Sequence, residues 1–160
     1  MGTFADPWPL ATLADRVGDV LGPSKPVLVD QARIDAFAEA TEDRQWIHVD
    51  PVRAADSAHG STIAQGFLTL SLLSHFMDEL VVVSGTEMAI NYGLDRVRFP
   101  AAVPAGASLR ATVTILKIES KVDRVMMWAS MTMTVDGAER PSCIADTVTL
   151  YRPIRGATSC

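Results

Sequence analysis

Two cysteines, Cys143 and Cys160, are all the thiol chemistry this sequence offers. They make no disulfide framework, so the fold has to rest on a packed core. Cys143 stands in a strand-like segment and reads as a small buried hydrophobe. Cys160, the last residue, is expected to fray. Positive charge is also in deficit: 14 Lys and Arg face 19 Asp and Glu, a net charge of −5. That excludes the basic footprint of a nucleic-acid binder. The opening "MGTFADPWPL" has neither a basic segment nor a continuous apolar one, so no secretory signal is expected there. The longest apolar stretch, Gly66 to Leu80, is interrupted by Thr69, Ser71, Ser74, His75 and Asp78, a pattern that argues against a membrane span. His48, His59 and His75 show no ligand spacing, and no metal is expected. A reducing, cytoplasmic setting fits these absences.

What is present is an ordinary globular balance. Of 160 residues, 48% are hydrophobic and 21% charged, enough for one domain with a real core and too little for two. There are no repeats, linkers or low-complexity tracts. The domain is expected to span 1–160, with its core from roughly 27 to 152. An irregular lead with a short helix near Leu10 to Val20 precedes a short strand, Val27 to Val29. Asp30 is placed to cap a helix, its carboxylate accepting from the free amides of the first turn. Ile34, Phe37, Ala38 and Thr41 then line one helical face, and the helix ends close to Asp43. Pro51 to Gly60 reads as a short turn or helix and a loop.

Ile63 to Leu80, "IAQGFLTLSLLSHFMDEL", carries apolar residues on nearly every side at helical spacing, which predicts a helix buried in the middle of the domain. Gly66 lies at its start. The period then changes. Glu87 to Val103, Ala107 to Ser120, Arg124 to Gly137 and Pro141 to Pro153 are rich in Val, Ile, Thr and Met, and turn residues separate them. Four successive long strands predict an antiparallel sheet. One buried helix before such a sheet predicts an α+β fold, the sheet wrapped around a long central helix.

Three segments, in this order and spacing, resemble the MaoC-like (R)-specific enoyl-CoA hydratases, and among them the NodN-like branch. They are "FAEATEDRQWIHVDP" (37–51), "GSTIAQGFLTLSLL" (60–73) and "INYGLDRVRFPAAVPAG" (90–106). The resemblance covers roughly Asp30 to Tyr151. It implies a hotdog fold, a homodimer and an acyl-CoA substrate, with no cofactor beyond the CoA of the substrate. Asp43 and His48 fall on the two catalytic positions, and Gly66 on the glycine position at the helix start. Two positions depart from the usual pattern. Gln45-Trp46 stand where many relatives carry Asn-Pro, and Gln65 stands where His is common.

Hydrating an α,β-unsaturated thioester requires a base for water, a proton for C2 and a donor for the oxygen that becomes enolate-like. A carboxylate and an imidazole can hold one water between them, and an imidazole ordinarily titrates at about pH 6.5, near working pH. The first amides of a helix lack intrahelical partners and favour negative charge. An NH at Gly66 is therefore suited to the thioester oxygen, a role that typically contributes about 3 kcal/mol. Each site residue also has a plainer reading. Asp43 and His48 could be polarity at a helix end, and Gly66 a packing glycine. Ser74, two turns past Gly66, could bond near the catalytic pair or to its own helix carbonyl. Trp46 could wall the acyl pocket or anchor its loop in the core, and the latter is favoured. Gln65, beside Gly66, is expected to meet substrate. His59 reads as a loop residue, His75 as a packed or partly exposed helix residue, and Asn91 and Tyr92 as structural support. The same chain could serve as a hotdog acyl-CoA thioesterase, or as a non-catalytic acyl-CoA or acyl-carrier binding protein. The Asp43/His48 motif favours the hydratase.

Overall fold

The computed structural model describes residues 6–154; Cys160 lies outside them. Strand β1 (Trp8–Pro9) leads into a 3-10 helix, Leu10–Arg16, that buries Leu10 and Leu13. This is the short lead helix of the sequence, ending before Val20. Strands β2 (Val20–Leu21) and β3 (Val27–Val29) follow. Helix α1 runs Gln31–Thr41, and the Asp30 carboxylate accepts the Arg33 amide at 2.9 Å, the cap its sequence predicts. Ile34 and Ala38 are buried and Phe37 half-buried. Thr41, expected on the same face, is exposed: the last turn runs past the core, and the hydroxyl donates back to the Phe37 carbonyl at 2.7 Å.

Two short helices, α2 (Trp46–Val49) and α3 (Pro51–Ala55), come next. Asp50 caps α3 through the Arg53 amide at 3.0 Å, and Pro51 sits at its first turn, where a missing N–H costs nothing. The predicted long helix begins only at Gly66, because Ile63 is used in a bridge to Pro104. It is divided at Leu72 into α4 (Gly66–Ser71) and α5 (Leu73–Leu80).

The sheet is antiparallel throughout. β5 (Thr86–Arg98), β6 (Ala107–Lys121), β7 (Arg124–Val135) and β8 (Cys143–Pro153) match the four predicted segments. The strand order is β2-β6-β7-β8-β5, with β3 pairing the other end of β6. A two-residue strand, β4 (Val83–Ser84), pairs parallel with β1. Ala111 faces Met133 and Met131 faces Ala145 across the ladders, and all four are buried. A slip of one residue would turn that whole face to solvent. Gly106 and Gly137 take positive φ (86 and 79°) at the β-turns, a conformation that suits glycine.

The helix lies against the inner face of the sheet. Leu68, Leu72, Phe76 and Met77 meet Val113, Met127, Met131 and their neighbours. Phe76 is fully buried, which stabilises the fold by about 2 kcal/mol for its side chain alone. The helix is not buried on all sides, as its composition predicted. Phe67, Ser71, Ser74, His75 and Asp78 form an exposed stripe. The sheet stops at β5, and β5 itself is exposed on both faces for most of its length, so among the described residues no further strand covers that stripe. Cys143 is buried as expected, and burial pushes its thiol up to about 11. Among the described residues no helix is long and apolar enough to cross a membrane.

Candidate active site

The segment between α1 and α3 carries both residues of the acid/imidazole motif. Glu42 ends α1 in the left-handed region, at φ 61°. A non-glycine residue there is under local strain, and it turns the chain sharply before Asp43. Arg44 is tied back to α1 by Glu39 at 2.7 Å. Asp43 itself is exposed. Trp46 is half-buried at the start of α2, with the Arg53 guanidinium 4.2 Å over its ring. The indole therefore links α2 to α3 and lies outside the hydrophobic core, not within it as the favoured reading has it.

His48 is buried, at 6% exposure. Its Nδ1 lies 2.6 Å from the carbonyl of Ile63. A carbonyl can only accept, so Nδ1 carries the hydrogen and donates it. In the neutral ring the lone pair is then on Nε2. The backbone reinforces this bond: the Ile63 amide donates to the Ile47 carbonyl at 3.0 Å, and Ala64 and Ala105 stitch the same segment to the turn after β5, at 2.8 and 2.9 Å. Among the described residues no hydrogen bond or ion pair joins Asp43 to His48, although the two share one short segment.

Gly66 is the first residue of α4, and among the described residues no backbone carbonyl accepts its amide outside that helix. A Cβ added at Gly66 would meet carbon atoms of the Phe99 ring at 3.0–3.1 Å, so packing by Phe99 is by itself a reason for glycine here. Phe99 in turn contacts exposed Phe67 edge-on, ring centres 6.2 Å apart. Gln65, expected to meet substrate, has a core position instead. It is 1% exposed, its Nε2 faces the Ile34 carbonyl at 3.4 Å, and its Oε1 has no partner. It caps the junction of α1 and α4 from inside.

Among the described residues Ser74 bonds neither to the motif nor to its own helix. Its Oγ accepts from Asn91 Nδ2 at 3.0 Å, a bridge from α5 to β5. The bridge separates two cavities along the exposed stripe. One, of about 560 Å³, is lined by Met77, Val81, Ala89 and Tyr151 among others; the second, of about 240 Å³, by Leu70, Leu73, Leu94 and Val148. Neither is lined by Asp43, His48 or Gly66. Tyr151 is buried, its hydroxyl 4.0 Å from the Met127 sulfur; burial pushes it up to about 12, and the charge of Asp78 adds to the effect. His75 lies edge-on to Phe76 and His59 stands in an exposed loop, as read from the sequence. Arg96 pairs with Asp146 at 3.2 Å.

Sequence reasoning missed the residues that hold His48 in place, Gln31 and Thr62. Gln31 Nε2 donates to the His48 carbonyl at 2.8 Å, and the Thr62 hydroxyl donates to Gln31 Oε1. Both contacts join residues distant in sequence, and no local pattern announces them.

Residues 12–136 match the MaoC like domain. The chain is 43% identical over 143 residues to 3-hydroxyacyl-thioester dehydratase Z of Mycobacterium tuberculosis, covering 89% of this chain and 95% of that one. It is 40% identical over 146 residues to Nodulation protein N of Rhizobium leguminosarum, covering 89% and 91%. Its fold superposes on the (R)-hydratase of A. caviae with a TM-score of 0.68 at 22% identity, over 83% of this chain and 94% of that one. With a hotdog fold and a family match across most of its length, the chain belongs to the MaoC-like dehydratase family.

Proposed function

We propose that this protein hydrates trans-2-enoyl-CoA to (R)-3-hydroxyacyl-CoA, and runs the reaction in reverse. The observation that carries the proposal is the buried His48, whose Nδ1–H is committed to the Ile63 carbonyl at 2.6 Å. That leaves Nε2 as a base on the same short segment as Asp43. The relatives named as dehydratases, one of them for 3-hydroxyacyl thioesters, support the same chemistry.

In this reading the Asp43 carboxylate accepts one hydrogen of a water and orients it. Nε2 of His48 accepts the other as the water oxygen bonds to C3. The C2–C3 π pair moves toward C2, and the thioester oxygen takes up negative charge against the Gly66 amide. The proton held at Nε2 then goes to C2. One water is added and nothing else is consumed, so the reading needs no cofactor beyond the CoA of the substrate.

The substrate also needs a wall that one copy lacks. β5 is a sheet edge, and Met88, Ile90, Tyr92 and Leu94 on it are 39–66% exposed. An open edge with apolar residues invites pairing, and a two-fold dimer through β5 would cover both the edge and the helix stripe. The acyl chain would then lie between α4–α5 and β5, along Ser74 and the two cavities. A cytoplasmic homodimer follows as part of the proposal.

The test is a spectrophotometric assay on a series of trans-2-enoyl-CoA chain lengths, with chiral analysis of the product. Loss of the enoyl chromophore with formation of the (R)-alcohol is expected. Release of free thiol without that loss would replace the hydratase by a thioesterase, and stabilisation by acyl-CoA without turnover would leave a binding protein.

A further inference from the structure

We propose that Gln31 is a positioning residue for His48, acting through a closed ring of hydrogen bonds with Thr62. The inference rests on the reading of His48 as the base. Gln31 is the first residue of α1, far in sequence from both segments it joins. Its Nε2 has two hydrogens and two acceptors: the His48 carbonyl at 2.8 Å and the Asp35 carboxylate at 2.7 Å. Both can only accept, so the amide orientation is settled, and Oε1 must face Thr62. Thr62, 3% exposed, donates its hydroxyl to that oxygen.

The ring closes through the peptide. Thr62 is followed by Ile63, whose amide donates to Ile47 and whose carbonyl takes the His48 Nδ1 hydrogen. One side chain therefore holds the carbonyl of the imidazole residue and, through Thr62, the segment that orients its ring. Every bond in the ring depends on the others for its geometry. Without Gln31, the α2 segment and the 62–63 segment keep only the backbone bond and the ring bond between them. The ring can then rotate, and the hydrogen can move to Nε2, the nitrogen needed as base.

Only an amide of this length serves. A carboxylate would lose both donors and face the Asp35 carboxylate and the His48 carbonyl with like charge. Asn is one methylene short. Met has the length and no hydrogen bonds.

The experiment compares Gln31→Met, Gln31→Glu and Thr62→Val with the parent and with His48→Asn, whose amide nitrogen keeps the Ile63 bond. Steady-state hydration of crotonyl-CoA is measured for each, and the His48 ring nitrogens are observed by NMR of histidine-labelled protein without substrate. Gln31→Met and Thr62→Val are expected to lower kcat by about ten- to a hundredfold with little change in KM. Their His48 spectrum is expected to shift from an Nδ1–H form toward a mixture of tautomers. Gln31→Glu is expected to fall further than Gln31→Met. Should Gln31→Met unfold, Thr62→Val, which exchanges one hydroxyl for a methyl, gives the same two readouts. Parent-like kcat and an unchanged His48 spectrum in both variants, with His48→Asn inactive, would overturn the positioning role alone. Full activity in His48→Asn would overturn the reading of His48 itself.

Discussion

His48 Nδ1 donates to the Ile63 carbonyl at 2.6 Å, and that one bond separates the structural edge of the imidazole from the edge available for chemistry. Asn and Gln substitutions probe the two edges separately. The Asn amide nitrogen falls near Nδ1, and the Gln nitrogen near Nε2. His48→Asn is therefore expected to keep the Ile63 bond and a parent-like melting temperature while kcat falls about a thousandfold. His48→Gln is expected to lose both activity and stability, since it leaves the buried Ile63 carbonyl short of its donor. Thermal melts beside crotonyl-CoA kinetics check this; parent-like turnover in His48→Asn would remove the imidazole from the mechanism.

Asp43 offers the complementary measurement. It is exposed and has no hydrogen bond among the described residues, so no stability depends on it. Asp43→Asn is expected to unfold at the parent temperature and to lose about two to four orders of magnitude in kcat. A large drop in melting temperature would show instead that the carboxylate holds its loop together.

Gly66 has two reasons to be glycine, and a double substitution separates them. Gly66→Ala puts a methyl 3.0–3.1 Å from the Phe99 ring, at an expected cost of about 1 kcal/mol or more. Phe99→Leu removes the ring. In the double variant stability is expected to recover, while hydration stays low because the methyl still obstructs approach of the thioester to the backbone. Recovery of both would reduce Gly66 to a packing residue.

Stability at high pH is expected to depend on Tyr151. Its value in the fold, about 12, lies above the ordinary phenol value of 10.0, so folding favours the neutral form. The stabilisation is complete below about pH 10 and is lost as pH rises from about 10 toward 12. Tyr151→Phe is expected to flatten that decline. At neutral pH it costs under about 1 kcal/mol, because among the described residues the weak Met127 sulfur contact is the hydroxyl's only bond. Denaturant melts at pH 8 and pH 10.5 measure the difference; an identical decline in both proteins would assign it elsewhere.

The β5 edge predicts a dimer-dependent activity. Leu94→Asp places a charge on an exposed apolar strand residue that lines the smaller cavity. Sedimentation is expected to change from dimer to monomer, with hydration falling in parallel. A parent protein that sediments as a fully active monomer would contradict the proposed interface.

How far the amino-acid order reached can be seen at particular residues. Asp30 as a helix cap, the four long strands and the buried Cys143 were all legible, because capping and strand composition are written within a few neighbouring positions. Ile63 was not: its residue type suits a buried helix, and only the bridge to Pro104 shows that it belongs to an extended segment. Phe67 misled in the same way, since hydropathy says nothing about where a sheet stops. Gln65 was placed beside substrate from its position next to Gly66, whereas α1 packs over it and takes it into the core.

By itself the sequence determined the four long strands, the capped helix before them and the segment bearing Asp43 and His48; these follow from local patterning and from a motif. Tertiary structure alone decided which imidazole nitrogen is free, what holds it, and which side of the helix stays uncovered. The first two rest on Gln31, Thr62 and Ile63, brought to His48 by chain segments 14 to 17 residues away. The third rests on β5 lying at the sheet's edge. Pairings between distant segments depend on where whole elements pack, and no short window of residues records that.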